Sequence, residues 1–374
     1  MDFSLTEEQA AVVEAAAKLF DGHLSDERRN AVEAAGEGFD RELWAALAGA
    51  NLLGLAVGED SGGSGFGFGE VAVLLEEAGR AAAPVPLWAA LVLGALPVQR
   101  FGSAALRARL LAPLVAGDLV MTAALVEPGT DEVHPTMTAN PDASGVWLLE
   151  GSKTCVPAGT VAGAVLVPAR VPGGAVAVFV VDPQSRGLTV TKLETTTGVP
   201  EARMDFRGVA VGADDILGGL DGGVDVLSWL LPRATAGLCA MTAGACQAAL
   251  ALTAEYALSR HQFDRAIATF QAVGQRAADA YVDTEAVGLT SRQATWRLAN
   301  DMPAEEHVAI AKFWAAEGGQ RVVHAAQHIH GGVGVDRSYP LHRYFLAVKQ
   351  MELTLGGATA SLLRLGAMMA DETI

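Results

Sequence analysis

Two stretches in the last third of the chain combine residue types that can bind phosphate. The first, Ser259–Asp279, places arginine and glutamine side chains around two aromatic rings between two predicted helices. An arginine guanidinium is a planar, charged donor for phosphate oxygens, and an aromatic ring offers a stacking surface. The set comprises Arg260, Gln262, Phe263, Arg265, Phe270 and Gln271. The stretch predicts an anionic-ligand site; the structural alternative is an interhelical loop with a buried arginine.

The second stretch, Gln327–Phe345, is a helix end followed by a glycine turn. Gly331 and Gly332 stop the predicted helix. Because glycine lacks a Cβ, its backbone can come close to a ligand. Taken alone, this turn is a second candidate for binding an anion.

Other chemistries find less support. His324 and His328 lie four residues apart on a predicted helix, but no cysteine or carboxylate stands at ligand spacing and HExxH is absent. Capping and core hydrogen bonding are therefore expected, not a metal site. Gly62–Gly65 is not a GxSxG elbow, and VEPGTDE matches no phosphate-loop pattern.

The sequence divides into three segments with different predicted secondary structure, and both stretches lie in the third. Residues 1–118 predict helices, beginning with a capping box at Thr6 and Gln9. Residues 119–220 contain short Val, Leu and Thr runs broken by glycine and proline, typical of an antiparallel sandwich or barrel. Residues 221–374 return to long helices, with an irregularity at Gly356-Gly357. Helices are predicted near residues 6–20, 41–53, 70–82, 87–96, 103–116, 224–259, 270–299 and 303–328. The fold class is α+β with several domains.

Composition excludes several classes of protein. The chain has 374 residues, 51% of them hydrophobic, and a net charge of −17. It is not a disordered chain, and its acidity argues against binding nucleic acid or anionic membranes. Cys155, Cys239 and Cys246 form no CxxC pair, and the first residues lack a signal-peptide pattern. We therefore expect a cytoplasmic protein.

Two stretches, residues 81–98 and 234–254, carry no charge. The first contains three prolines, and the second consists mostly of alanine, glycine and threonine, which insert poorly into membranes. For the second we predict a helix buried in a bundle, with a transmembrane span as the alternative.

The two phosphate-type stretches resemble those of acyl-CoA dehydrogenases, and the resemblance covers essentially the whole chain. The family pattern R-x-x-F-G-x-x-(I/L)-x-x-F-Q is met by Arg260, Phe263, Ile267, Phe270 and Gln271, with Asp264 in place of glycine. The pattern Q-x-x-G-G-x-G is met by Gly331, Gly332 and Gly334, with His328 in place of glutamine.

This resemblance implies an N-terminal helical domain, a central antiparallel β domain and a C-terminal four-helix bundle. It also implies FAD as cofactor, an acyl-CoA substrate and electron-transfer flavoprotein as electron acceptor. In the family, a glutamate takes the α-proton and the flavin takes the β-hydride. The implied cofactor-binding residues are Arg260, Gln262, Phe263, Ile267, Phe270, Gln271, His328, Gly331 and Gly332.

The catalytic glutamate is missing at each position where the family carries it. Counted from Lys349, the usual position is Leu355; a second is Ala234, and a possible third is Met241. None of these side chains accepts a proton. Glu352 lies one turn before Leu355 and should point elsewhere on a helix. We therefore predict no catalytic residue in this chain.

The motifs that contact the flavin ring are also degenerate. The family pattern T-E-P-x-A-G-S-D reads V-E-P-G-T-D at Val126–Asp131, so the threonine is lost. The pattern G-x-K-x-W-I-T-N reads GSKTCVPA at Gly151–Ala158, so the tryptophan and the second threonine are lost. What survives is the set that, in the family, reaches the adenosine-diphosphate half of a FAD held mainly by the neighbouring subunit.

This division resembles the heteromeric α2β2 acyl-CoA dehydrogenases of steroid side-chain degradation in actinomycetes. FQAVGQRAADAYVD, HIHGGVGV and KQMELTLGGAT resemble their degenerate subunit. The resemblance implies a partner subunit that carries the catalytic glutamate and a steroid side-chain CoA substrate. Two alternatives stay open: a self-sufficient homotetramer with an unrecognised base, and a non-enzymatic scaffold.

Overall fold

The computed structural model describes residues 3–129 and 132–371, with helices at both ends of the chain and strands between them. The helices are α1 (Glu7–His23), α2 (Asp26–Ala35), α3 (Arg41–Gly49), α4 (Phe68–Arg80), α5 (Leu96–Phe101), α6 (Ala104–Val115), α7 (Gly223–Ser259), α8 (Gln271–Ala299), α9 (Glu305–His330), α10 (Leu341–Leu353) and α11 (Ala358–Asp371). The strands are β1 (Met121–Ala123), β2 (Thr138–Pro141), β3 (Trp147–Pro157), β4 (Ala164–Arg170), β5 (Val176–Val181), β6 (Leu188–Leu193), β7 (Glu201–Val211), β8 (Ile216–Leu217), β9 (His261–Gln262) and β10 (Arg265–Ala266). The predicted α+β fold class is confirmed.

Local signals account for several helix boundaries, including side-chain N-caps at Thr6, Asp40 and Ser103. The predicted capping box is present, because the Thr6 hydroxyl accepts from the Gln9 amide and the Gln9 side chain accepts from the Thr6 amide. The break at Gly356-Gly357 separates α10 from α11, as predicted. Helix α2 was not predicted. Val32 is its one buried residue, so the sequence of this helix lacks the apolar periodicity that predicts an amphipathic helix. The segment Trp88–Ala95 is π-helical, which periodicity did not indicate.

The eight strands of the middle segment form one sheet in the order β6-β7-β3-β2-β4-β5-β8, with β1 beside β4. Neighbouring strands are antiparallel, as predicted, except that β1 and β2 each run parallel to β4. The β2–β4 pairing rests on the single register pair Thr138–Arg170. Apolar side chains such as Trp147, Phe179 and Phe206 pack into one core on this sheet.

One ion pair lies inside the sheet core. Lys153 and Glu127 have side chains that are 0% and 3% exposed, and Nζ lies 2.6 Å from Oε1. The carboxylate also accepts from the amides of Thr136 and Met137 and from the Thr136 hydroxyl. Burial opposes ionisation of Glu127, but the hydrogen bonds from Lys153 and Thr136 and the lysine charge together lower its pKa. The pair is therefore ionised and joins the start of β2 to β3.

The chain divides into two compact units. The sheet unit comprises Arg29–Val71 and Pro84–Ala234; the helical unit comprises the chain up to Arg28, the segment Ala72–Ala83 and the chain from Thr235 onwards. Within the helical unit, α4 and α7 touch through backbone. A Cβ added at Gly244 would lie 1.8 Å from the Glu76 carbonyl oxygen, and one added at Gly79 would lie 2.0 Å from that of Met241. The small residues of α7 therefore serve close helix packing.

Two segments of the described chain are long and apolar enough to cross a membrane, Gly223–Ser259 and Leu341–Ala370. This is weak evidence, because the buried core helix of a soluble protein passes the same test. In the first segment, 67% of the apolar window is buried within the structure, as predicted for a bundle helix.

Lys153→Met should destabilise the protein by about 3–5 kcal/mol, because it leaves the Glu127 carboxylate buried without its cation. The double change Lys153→Met with Glu127→Gln should recover part of this loss. Lys192→Met, at a half-exposed lysine of β6, is the matched control and should change stability little. Urea unfolding measures all three; a Lys153→Met protein as stable as the control would contradict the role of the pair.

Candidate functional site

The first predicted stretch forms a tight hairpin at the end of α7. β9 and β10 pair through Gln262–Arg265 and His261–Ala266, which leaves Phe263 and Asp264 as the two turn residues. Both have left-handed backbone, with φ of 53° and 62°. Such a two-residue turn favours glycine, and aspartate tolerates it. A phenylalanine rarely adopts left-handed backbone, so Phe263 is a conformational outlier. The rest of the hairpin therefore stabilises a backbone conformation that this residue by itself disfavours.

The hairpin presents aromatic rings and guanidinium groups to solvent. Phe263 is 86% exposed and meets the ring of Phe270 edge-on at 6.2 Å. The Arg265 guanidinium lies 4.1 Å from the centre of the Phe270 ring. Arg260 is anchored by its backbone, since its carbonyl accepts from the Ile267 amide at 2.8 Å. Its exposed guanidinium has no partner among the described residues, so it is available to a ligand.

Helix α8 begins beside this hairpin and adds a positive helix end. Phe270 is its N-cap and supplies no side-chain cap, and the first turn contains no acidic residue. The Val273 amide donates to the Phe270 carbonyl at 3.0 Å, which leaves the amides of Gln271 and Ala272 without a partner among the described residues at the positive end of a 29-residue helix. Gln271 opens the helix at an exposed position, whereas the Gln262 side chain donates to the His261 carbonyl.

The glycine turn lies at the end of α9. Gly331 has φ 63° and ψ −137°, a conformation that only glycine adopts readily, and its amide donates to the carbonyls of Gln327 and His328. A Cβ built on Gly331 or Gly332 would meet nothing within 4 Å, so the turn is open to a ligand. The ring of His330, by contrast, is buried.

A cavity of about 730 Å³ runs between α8 and α9. His328, a predicted site residue, lies on its wall, and Ala272, the neighbour of Gln271, lies opposite on α8. Further along, Arg321 binds Asp283 in a two-pronged ion pair with distances of 2.6 and 2.8 Å. The cavity thus connects the helix start and the helix end that carry the predicted residues.

The positions expected for a catalytic base contain no base. Leu355 follows the end of α10 and has φ 57°, a left-handed backbone that continues into Gly356 with φ 91°. Ala234 is fully buried, and its carbonyl accepts from the Trp88 indole at 2.9 Å. Met241 is half-buried in α7. The Glu352 carboxylate is bound by Lys349 at 2.6 Å, so it is occupied in an ion pair.

The degenerate flavin-side motifs offer no side-chain hydroxyl at the two lost threonine positions. Val126 contributes its carbonyl, which accepts from the Thr154 amide at 2.9 Å. Pro157 has no hydroxyl, and its carbonyl accepts from Thr122 at 2.6 Å. Cys155, at the tryptophan position, is exposed with φ 48°. Thr130 and Asp131 lie outside the described residues.

Sequence reasoning missed Lys312. Its side chain is buried, and Nζ lies 2.5 Å from the Met351 carbonyl and 3.2 Å from that of Glu352. The ammonium therefore binds the last carbonyls of α10, directly before the Leu355 turn. No local pattern marks it, because its partners lie about forty residues further along the chain.

The helices, sheet and long helices, in this order, define the fold class of the acyl-CoA dehydrogenases. Sequence profiles of the acyl-CoA dehydrogenase N-terminal and C-terminal domains match residues 6–118 and 221–369. The chain is 41% identical to the acyl-CoA dehydrogenase FadE27 of Mycobacterium tuberculosis over 99% of both proteins. The chain belongs to the acyl-CoA dehydrogenase family.

Two solved structures are similar over nearly the whole chain. A chain of the ChsE4-ChsE5 complex from Mycobacterium tuberculosis matches with a TM-score of 0.93 and 41% identity, over 99% of both chains. A chain from a variant of the Tcur3481-Tcur3483 steroid ACAD matches with a TM-score of 0.90 and 41% identity, over 98% of this chain and 99% of that one.

Lys312 should give stability a pH dependence. Burial lowers the pKa of its ammonium from 10.5 to about 8. Between these values the unfolded chain holds a proton at Lys312 that the folded chain has released, so Lys312 contributes a rise of the free energy of unfolding with pH in that window. Burial raises the pKa of Cys239 and Cys246 to about 12, which contributes a fall above pH 9, so the test compares the slope of each variant with that of wild type. Lys312→Met should lose this rise, whereas Lys18→Met, at an exposed position of α1, should keep it. Urea unfolding at several pH values measures the slopes, and an unchanged slope in Lys312→Met would contradict the assignment.

Proposed function

We propose that this chain is one subunit of a cytoplasmic, heteromeric, FAD-dependent acyl-CoA dehydrogenase. It supplies the adenosine-diphosphate half of the FAD site to an unlike partner subunit, which carries the catalytic glutamate. The observation that carries this proposal is an asymmetry. The cationic hairpin, the uncapped start of α8 and the open glycine turn are present, while the base and both flavin-side threonines are absent.

The donor chemistry of the retained set fits a nucleotide diphosphate. The Arg260 guanidinium and the first amides of α8 are donors for phosphate oxygens, and the open Gly331-Gly332 turn allows close approach of backbone. Phe263, exposed on its hairpin, offers an apolar face to a base or to a partner chain. When bound, FAD accepts the β-hydride of the acyl thioester. The residues of this chain bind and orient it, and the partner's glutamate takes the α-proton.

Burial against another subunit, like or unlike, accounts for the apolar surface of the helical unit. Large apolar side chains there are between 49% and 71% exposed in the single chain: Leu258, Tyr281, Val282, Leu289, Leu353, Leu362, Leu363 and Met369. So many exposed hydrophobic groups on one unit are typical of a subunit interface. The similarity to chains of the ChsE4-ChsE5 complex and of a steroid ACAD supports an unlike partner and a steroid side-chain CoA substrate. We further propose electron-transfer flavoprotein as the electron acceptor.

Flavin stoichiometry tests the division of labour. Expressed alone, the chain should be colourless or insoluble; co-expressed with its partner, it should give a yellow α2β2 complex with about two FAD rather than four, because each unlike pair builds one complete site. Changing the partner's catalytic glutamate to glutamine should abolish activity. Flavin absorbance against protein mass gives the ratio. If the chain alone holds stoichiometric FAD and oxidises an acyl-CoA, the self-sufficient homotetramer is correct instead. If the complex contains no flavin, the chain is a non-enzymatic scaffold.

Arg260→Ala should weaken FAD binding to the purified complex by about 10- to 100-fold, as expected for loss of one charge-assisted phosphate contact. The subunits should still assemble. Arg186→Ala, at an exposed position of the sheet unit, is the control and should retain wild-type affinity. Titration of flavin-depleted complex with FAD gives the dissociation constants. Equal FAD dissociation constants for Arg260→Ala and wild type would show that the Arg260 guanidinium does not bind FAD.

A further inference from the structure

Three rings, those of Tyr256, His330 and Tyr339, cluster behind the glycine turn. The Tyr256 ring of α7 lies parallel to the His330 imidazole, with centres 4.3 Å apart and planes 22° apart. The Tyr339 ring contacts both of them, with its centre 5.1 Å from that of His330 and 6.2 Å from that of Tyr256, and its hydroxyl lies 3.1 Å from His330 Nε2. His330 is 3% exposed, so the imidazole is enclosed by its neighbours.

The hydrogen bonds of His330 define its tautomer. Nδ1 lies 2.8 Å from the Ala326 carbonyl oxygen, which can only accept, so Nδ1 carries the proton and donates. In the neutral ring Nε2 then holds a lone pair, and the Tyr339 hydroxyl donates to it. Burial lowers the pKa of His330, which keeps the ring neutral at physiological pH. Both ring nitrogens are therefore occupied by partners within the chain.

The cluster reaches the turn through backbone. His330 is the last residue of α9, and its carbonyl accepts from the Tyr256 hydroxyl at 3.4 Å. Gly331 follows directly and takes the conformation that ends the helix. Inside the turn, a Cβ added at Gly334 would lie 3.2 Å from the His330 Cβ. A shift of the His330 ring would thus move the peptide that opens the turn.

We propose that Tyr256, His330 and Tyr339 are positioning residues that hold the Gly331-Gly332 turn in the conformation that receives the FAD diphosphate. This inference rests on the proposed function. None of the three rings needs to touch the cofactor: the stack orients His330, and His330 sets where α9 ends. Tyr339 acts through its hydrogen bond to His330, so removing either side chain breaks this same hydrogen bond.

The test measures FAD affinity of the flavin-depleted complex, independently of activity. Tyr339→Phe deletes one hydroxyl and should weaken binding by about 2- to 10-fold, the effect of one hydrogen bond. His330→Leu places an apolar side chain of similar size in the buried site and deletes both ring hydrogen bonds, so the loss should be at least as large. Because the two residues act as one unit, the double variant should bind no more weakly than His330→Leu alone. His330→Gln, whose amide both donates and accepts, should restore most of the affinity.

Two controls separate positioning from general stability. Thr253→Val removes another buried hydroxyl on α7, one bound at 2.6 Å to the Ala249 carbonyl, and should leave FAD affinity unchanged. FMN, which lacks the adenosine half of FAD, should bind wild type and Tyr339→Phe equally well. If His330→Leu does not fold, Tyr339→Phe decides the test.

The outcomes distinguish this inference from the proposed function. If Arg260→Ala loses affinity while Tyr339→Phe and His330→Leu bind FAD like wild type, the positioning role is wrong and the proposed function stands. An additive double variant, or a Thr253→Val protein that loses as much affinity as Tyr339→Phe, also overturns the positioning role. If Arg260→Ala binds like wild type as well, the half-site itself is wrong and the inference falls with it.

Discussion

The candidate site depends on how closely α7 packs against α4. At Gly244 and Gly79 the two helices meet through backbone, with no space for a methyl group. This contact fixes the axis of α7, whose last turns carry Tyr256 and lead directly to Arg260. The direction in which α7 ends sets the start of the hairpin, and the hairpin in turn leads into α8. A larger residue at either glycine would force the helices apart and shift every later part of the site.

The buried cationic side chains have hydrogen-bond partners within the chain, whereas the exposed arginine at the candidate site has none in the part of the chain that the structure describes. Lys153 is buried against Glu127, and Lys312 is buried against two helix-end carbonyls, so both of these lysines have partners that offset part of their desolvation. Arg260 is exposed and has no partner among the described residues. In a chain of net charge −17, a free guanidinium beside an uncapped helix start marks a place where an anion is attracted.

The turn at Leu355 combines a left-handed backbone with a side chain that has no acid-base chemistry. Lys312 still binds the carbonyls at the end of α10, and Leu355 keeps a left-handed backbone although it cannot accept a proton. The proposed division of labour between subunits explains why the shape is retained. Under that proposal, the turn and the helices around it serve assembly and the partner's site.

Local pattern in the sequence determined which elements form and in which order. The Thr6–Gln9 capping box, the small residues of α7 and the glycine break between α10 and α11 could all be read within a few residues, and all three are found. The motif residues around Arg260 and Gly331 could be picked out in the same way, although their role remains a proposal. Helix α2 was not predicted, because so polar a segment has no apolar periodicity. Only the tertiary structure brought Lys312 to the end of α10, Lys153 to Glu127, and Tyr256 to His330. These partners are separated by tens of residues, and the physical reason they could not be predicted is that burial and pairing depend on packing between elements, which no local pattern encodes.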